Sequence, residues 1–413
     1  MTTRPSTPTT PGPMDAPGRW LNDVAHRDWL NDQSRALLSF FDASLQDGSG
    51  FSLLDHDGTP LPGDVQELHT TTRLVHSYAM GCLRGHAGAD QIVDHGMAYL
   101  NRHHKDPVHG GYVWSLSSHA VADGTKLAYG HVFVLLAASS AKLAGHPDAD
   151  ALIEDISDVL HRHFWEEDSG LFCDEKSRDW TPFSDYRGMN ANMHAVEALL
   201  AAYEATQREI YLTRAGRILG FFTAKMAPAE NWRLPEHYHG DWTIDRSYAG
   251  NHMFRPAGTT PGHSFELGRL LLQYWDLIGR PSSDAPYAAR KLIEQALQDA
   301  WLPDGGLAYT LNFDGSVADP SRFWWPVTEA INSVATLLLL EDRQADEDWY
   351  RKLWAFADKT FIDHKHGGWF PAIDATGAPT SSIFAGKPDI YHALQACLFP
   401  LSGRVSRMAK GWR

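Results

Sequence analysis

One phrase recurs along the chain at a nearly constant interval: a glycine-containing polar turn, a short aromatic or apolar strand, then a second polar turn. It reads DGSGFSLLDHDGTP at 47–60, HGGYVWSLSSH at 109–119, DSGLFCDE at 168–175, DGGLAYTLNFDG at 304–315 and HGGWFPAIDATG at 366–377. A degenerate copy, NWRLPEHYHGDW at 231–242, fills the remaining gap. With Gly50, Gly111, Gly170, Trp232, Gly306 and Gly368 as markers, the spacings are 61, 59, 62, 74 and 62 residues. Six units of about sixty residues therefore organise the chain, and a period of that length points to a repeat architecture.

Between the markers the pattern is helical. HVFVLLAASSAKLAG (131–145), MNANMHAVEALLAAYEAT (189–206) and AINSVATLLLLED (330–342) are apolar on more than one face, as expected of helices packed on two sides. YAARKLIEQALQDAW (287–301) instead carries one apolar stripe and one polar face. One buried and one half-exposed helix per unit make twelve, which predicts an all-α (α/α)6 barrel of six helical hairpins with short β-turn connections. Two separate helical domains would be the alternative, but no Pro/Gly/Ser-rich linker divides the chain. The barrel is expected over 19–405, between a disordered tail at 1–18, rich in Thr and Pro, and a C-terminal tail at 406–413.

Composition narrows the partners. Thirty-six Lys and Arg against 51 Asp and Glu give a net charge of −15 without a basic stripe, which argues against nucleic acid. No apolar run reaches the ~20 residues of a membrane span. The first residues lack an apolar signal-peptide core. Three scattered cysteines, Cys82, Cys173 and Cys397, fit a reduced compartment, so a cytoplasmic location is expected.

Polar residues also keep the phase of the repeat. About 18 to 34 residues after each marker, near the start of the next inner helix, stand Arg73 and His76, His131, Asn190 and His194, His263 and Glu266, Trp324, Trp325 and Glu329, and Asp389 and His392. In a closed ring these positions converge on one end of the barrel axis. Packing alone would be served by Leu and Val, which carry no desolvation penalty. His76 and His131 could equally be structural. No HExxH, no cysteine pair, no phosphate loop and no GxSxG elbow occurs. Histidines outnumber the carboxylates a glycosidase needs, and an unperturbed pKa of about 6.5 suits transfer of a carbon-bound proton near neutrality. A His in the first turn of a helix feels the positive end of the dipole, which favours the neutral imidazole. Thr260 as N-cap and Pro261 at the first helical position place His263 in such a turn. The residues thus point to a proton-transfer enzyme acting on a carbohydrate, with Trp324 or Trp325 as stacking platforms.

PGHSFE, NANMHAVEALL, TRLVHSYAMG, FWWPVTEA and GKPDIYHALQA together resemble the N-acylglucosamine 2-epimerase superfamily, over about residues 19–405. Within it the chain is most similar to bacterial aldose–ketose isomerases acting on D-mannose or sulfoquinovose. The resemblance implies a general acid/base pair of His263 and His392, with Glu266 assisting His263 and holding sugar hydroxyls. It implies that Arg73, Asn190 and His194 bind the open-chain sugar, and that neither metal nor nucleotide is needed. Trp324, Trp325, Glu329 and Asp389 complete the expected pocket. The implied reaction interconverts D-mannose and D-fructose, with D-lyxose and D-xylulose as further substrates, through a cis-enediol. A 2-epimerase acting on cellobiose or N-acylglucosamine, a sulfoquinovose isomerase and, more distantly, a glycoside hydrolase are the alternatives. WWPVTEA differs from the WWPQ-like form of the epimerases, which favours the isomerase.

Overall fold

A computed structural model describes residues 10–12, 14, 18–46 and 50–412. Among them, twelve long helices form two concentric rings. In chain order they are α1 (Val24–Phe41), α2 (Leu68–Leu83), α3 (Ala89–Tyr99), α4 (Ala128–Ala144), α5 (Ala149–Val159), α6 (Met189–Thr206) and α7 (Glu209–Leu219). After a single turn, α8 (Ala227–Ala229), come α9 (Pro261–Leu277), α10 (Ala285–Ala300), α11 (Trp324–Leu340), α12 (Gln344–Thr360) and α13 (Tyr391–Ser402), with a last turn α14 (Ala409–Trp412). The inner ring is α2, α4, α6, α9, α11 and α13, each touching the next, with α13 closing on α2. The outer helices pack behind them as α3 on α2, α5 on α4, α7 on α6, α10 on α9 and α12 on α11. The sixth hairpin is not local: α1 packs on α13, so the two ends of the chain complete the barrel.

The two helix types follow from where their faces end up. α4 is buried at nearly every position from Gly130 to Ala141, because it faces both the axis and its outer partner. α10 buries Ala288, Ala289, Leu292, Ile293, Ala296, Leu297 and Ala300, a one-sided stripe at helical spacing.

The repeated turn is a conformational device. Gly111, Gly170, Gly306 and Gly368 all take positive φ, between +62° and +84°. Trp232, the marker of the degenerate copy, takes φ +65° as well, so the fourth turn keeps the left-handed geometry without glycine, at a cost of about 1–2 kcal/mol. Cations pin several of these turns. The buried Lys126 ammonium donates to Asp106 and to the Gly110 carbonyl, and Lys387 donates to Asp363 and the Gly367 carbonyl.

Short antiparallel ribbons then tie each unit to the next just ahead of an inner helix. Val65–Glu67 pairs with Ser115–Ser117, Lys126–Leu127 with Glu175–Lys176, Arg187–Gly188 with His237–Tyr238, and Arg322–Phe323 with Ala372–Ile373. The first residues of α2, α4, α6 and α11 are thereby held at one end of the axis, where the candidate site lies.

Most of the expected N-terminal tail (1–9, 13 and 15–17) lies outside the described residues. Of the rest, the Pro11 carbonyl accepts from His26 Nδ1 at 2.7 Å, and those of Met14 and Gly18 accept from Arg351. Of the expected C-terminal tail at 406–413, residues 406–412 are described, and Ala409–Trp412 packs against α13 and α2. The buried Trp412 donates its indole N–H to the Leu398 carbonyl at 3.0 Å, because the large apolar ring gains more by covering Phe399 than by facing water.

Candidate active site

The inner-helix starts surround a cleft of about 490 Å³. α9 supplies the first histidine. Pro261 stands at its first position, as its missing N–H allows, while Thr260 takes the N-cap position without a side-chain cap hydrogen bond. A Cβ at Gly262 would come within 2.2 Å of the Trp325 ring, so this glycine lets the indole lie against the helix start.

His263 Nδ1 is 2.9 Å from Glu236 Oε1, and His392 Nδ1 is 2.9 Å from Glu329 Oε1. In each pair the carboxylate accepts the Nδ1–H, which fixes the tautomer and leaves Nε2 as the basic nitrogen. The Trp325 ring lies near both imidazoles, with centroids 5.2 Å from His263 and 6.0 Å from His392. Two polarised histidines therefore face one aromatic platform. Groups that exchange protons, each oriented by a carboxylate, are the equipment of general acid–base catalysis.

One expectation is corrected here. Glu266 shares a face with His263 three residues away, yet the partner of His263 is Glu236. Glu266 sits deeper, 1% exposed, with Oε1 3.6 Å from His194 Nδ1 and 3.9 Å from Arg269. His263 lies nearer the mouth, where the fourth turn meets it. Burial, followed by the neighbouring Glu329 and Glu197, pushes the Glu266 carboxyl well above the usual carboxylate range.

Around these groups the structure gathers the other expected residues. Arg73 lies over the Phe133 and Tyr391 rings, donates to the Tyr129 hydroxyl at 2.9 Å, and is 3.7 Å from Asp389. Asp389 also accepts the backbone N–H groups of Tyr391 and His392, so it orients the start of α13. Asn190 lines the cleft, and its buried Oδ1 has no hydrogen-bond partner among the described residues. His194 is held at about pKa 4 by burial and is therefore neutral at pH 7. Trp324 reaches the cleft but packs edge-on against Phe384, so Trp325 is the better platform.

The two ambiguous histidines are structural. His131 Nε2 accepts from the Tyr112 N–H at 3.0 Å while Nδ1 donates to the Leu127 carbonyl. Asn192, at the same position of α6, accepts from the Phe172 N–H and donates to its carbonyl, and Gln66, just ahead of α2, holds both backbone groups of Phe51, so a polar side chain pins the strand after each of three markers. His76 lies behind the site, hydrogen-bonded to Ser140 and Gln395.

Sequence reasoning missed Glu236, Glu197, Arg269, Tyr129 and Tyr391. Arg269 could have been found, since it continues the His263–Glu266 face by one more step of three. Glu236 stands in the degenerate turn, where no periodic position marks it. His194, Glu197 and Glu266 bring three potential metal-ligand atoms within 4.8 Å of one another, the one such group among the described residues. Its positive charge comes from Arg269, and Glu197 is already engaged by the Tyr391 hydroxyl and Gln395. No described helix is long and apolar enough to cross a membrane.

Comparison with known proteins identifies the family and the fold. The family model of N-acylglucosamine 2-epimerase matches residues 49–396. A D-mannose isomerase of Thermobifida fusca is 40% identical over 92% of this chain and 96% of its own length. One of Pseudomonas cannabina pv. alisalensis is 37% identical over 92% and 94%. A crystal structure of D-mannose isomerase superposes with a TM-score of 0.86 at 33% identity, covering 91% of this chain and 97% of the other. A cellobiose 2-epimerase from Spirochaeta thermophila shares the fold, with a TM-score of 0.80 at 22% identity, covering 91% and 95%.

Proposed function

Because the chain belongs to the N-acylglucosamine 2-epimerase family, we propose that it is an aldose–ketose isomerase interconverting D-mannose and D-fructose. The observation that carries this reading is the pair of histidines, each polarised by its own glutamate, next to one shared ring, Trp325. The isomerisation needs a proton taken from C2 of the open-chain aldose and one delivered to C1 of the resulting cis-enediol. In this reading His263 and His392 exchange it. Trp325 stacks on the C–H face of the sugar. Arg73, Asn190, His194 and Asp389 offer charged and polar groups to its hydroxyls. The three free cysteines and the acidic composition support a cytoplasmic enzyme.

Incubation with D-mannose in D2O tests the reading. The expected product is D-fructose carrying deuterium at C1, formed more slowly from mannose deuterated at C2. Unlabelled fructose formed at the same rate from both sugars would overturn the enediol route. Conversion of mannose to glucose, or of cellobiose or N-acetylglucosamine to their C2 epimers in place of fructose formation, would overturn the isomerase assignment.

A further inference from the structure

An aldose becomes a ketose only if, besides the carbon-bound proton, a proton leaves the C2 hydroxyl and one arrives at the C1 oxygen. Two histidines engaged with the carbon-bound proton leave that oxygen-to-oxygen transfer without an assigned group. Glu266 is placed for it. Its carboxyl lines the same cleft, one helical turn below His263. Neither of its oxygens has a hydrogen-bond partner among the described residues, although the side chain is 99% buried. A buried carboxyl with both oxygens unsatisfied awaits partners that the sugar hydroxyls supply.

Charge balance says in which form it waits. Glu197 on α6, Glu266 on α9 and Glu329 on α11 surround one guanidinium, Arg269, which is 3.9 Å from Glu266 Oε1 and 3.6 Å from Glu329 Oε2. The other groups facing this cluster add little positive charge. His194 is neutral, Tyr129 and Tyr391 are phenols held protonated by burial, and Arg73 is shared with Asp389. Glu329 already serves His392, and Glu197 already accepts from Tyr391 and Gln395. Three ionised carboxylates around one guanidinium would bury two uncompensated negative charges, so at least one of the three holds a proton, and Glu266 is the one with no hydrogen-bond donor to stabilise its anion.

We propose that Glu266 enters the reaction as a neutral carboxylic acid and relays the oxygen-bound proton between O1 and O2, a role that rests on the isomerase reading. As a histidine removes the C2 proton, the C2–H electron pair forms the C1=C2 bond. The C1=O π pair moves to O1, which takes the proton of Glu266. The carboxylate so formed then accepts the O2 proton. The O2–H pair closes C2=O, and the C1=C2 pair takes the proton that the histidine pair returns to C1. Carbon 1 is reduced, carbon 2 is oxidised, and Glu266 ends protonated as it began.

Two measurements test the relay. The infrared spectrum of the unliganded wild-type protein at neutral pH should contain a protonated-carboxyl C=O band that disappears in Glu266→Gln and shifts in Glu266→Asp. Glu266→Gln, which keeps a neutral hydrogen-bond donor but cannot relay, loses about 10²- to 10⁴-fold in kcat. Its KM for mannose and its affinity for mannitol, the open-chain sugar with its carbonyl reduced, stay within a few-fold of wild type. Glu266→Asp recovers part of the loss. A wild-type spectrum whose protonated-carboxyl band is unaffected by either substitution, or a folded Glu266→Gln with kcat within tenfold of wild type, overturns the relay while leaving the isomerase reading in place. Wild-type protein that forms no fructose overturns that reading instead.

Discussion

The two histidine–carboxylate pairs have the same Nδ1 to oxygen distance, 2.9 Å, and opposite construction. His392 and Glu329 both stand on inner helices, α13 and α11, 63 residues apart, and the far oxygen of Glu329 faces Arg269. His263 stands on α9, but Glu236 comes from the irregular fourth turn. There its backbone is tied on both sides: Met189 N–H donates to the Glu236 carbonyl, and the Glu236 N–H donates to the Gly258 carbonyl. The first pair is part of the barrel wall and the second is wall plus loop. The difference teaches that an imidazole needs only an oriented carboxylate, whatever element provides it. The wall pair is tied to the stability of the barrel, whereas the carboxylate of the second pair can be altered without changing a residue of the inner ring.

The comparison can be broken outright by removing either imidazole. His263→Ala and His392→Ala should each lower kcat by about 10²- to 10⁴-fold with the helical circular-dichroism signal retained. Activity near wild type in either variant would take that residue out of the mechanism. Removing the carboxylates should separate the pairs. Glu329→Gln replaces the carboxylate that orients His392 and one of those facing Arg269 inside the barrel, so it should lose activity and also about 1–3 kcal/mol of stability, read by denaturant unfolding. Glu236→Gln should cost roughly 10²-fold in kcat through a misoriented His263, with a smaller loss of stability. Equal stability losses in the two variants would erase the distinction between wall and loop.

The smallest effect concerns acid. Burial holds His76 and His194 at about pKa 4 and His131 at about 3, against 6.5 in the unfolded chain. Below pH 6.5 the unfolded state therefore binds more protons than the folded state. The melting temperature should fall as pH drops from about 6.5 to 4, and this contribution should level off below the folded values. A melting temperature flat across that window would mean that these histidines protonate within the fold.

Much of this was legible before any coordinates. The sixty-residue phrase predicted six hairpins, and the phase of the polar residues predicted which helix ends converge. The exception to local pairing, α1 on α13, was hidden because a repeat says nothing about how its two ends meet. Phase also could not tell a pin from a catalytic group. His131 and His194 are both in phase, yet His131 spends both ring nitrogens on backbone atoms, while His194 Nδ1 makes no hydrogen bond among the described residues.

By itself, then, the sequence determined the barrel and the end of the axis at which its polar groups gather, and through resemblance it nominated the two histidines. Periodic residues and helix starts are local properties, and they survive being read one unit at a time. Only the tertiary structure decided which carboxylate serves which histidine, and that Glu266, three residues from His263, belongs instead with His194, Arg269 and Glu329. Those partners lie on α6, α9 and α11 or in an aperiodic turn, and they meet only when the ring closes. Hydrogen bonding acts over about 3 Å, a distance on which spacing along the chain has no bearing once different units supply the two atoms.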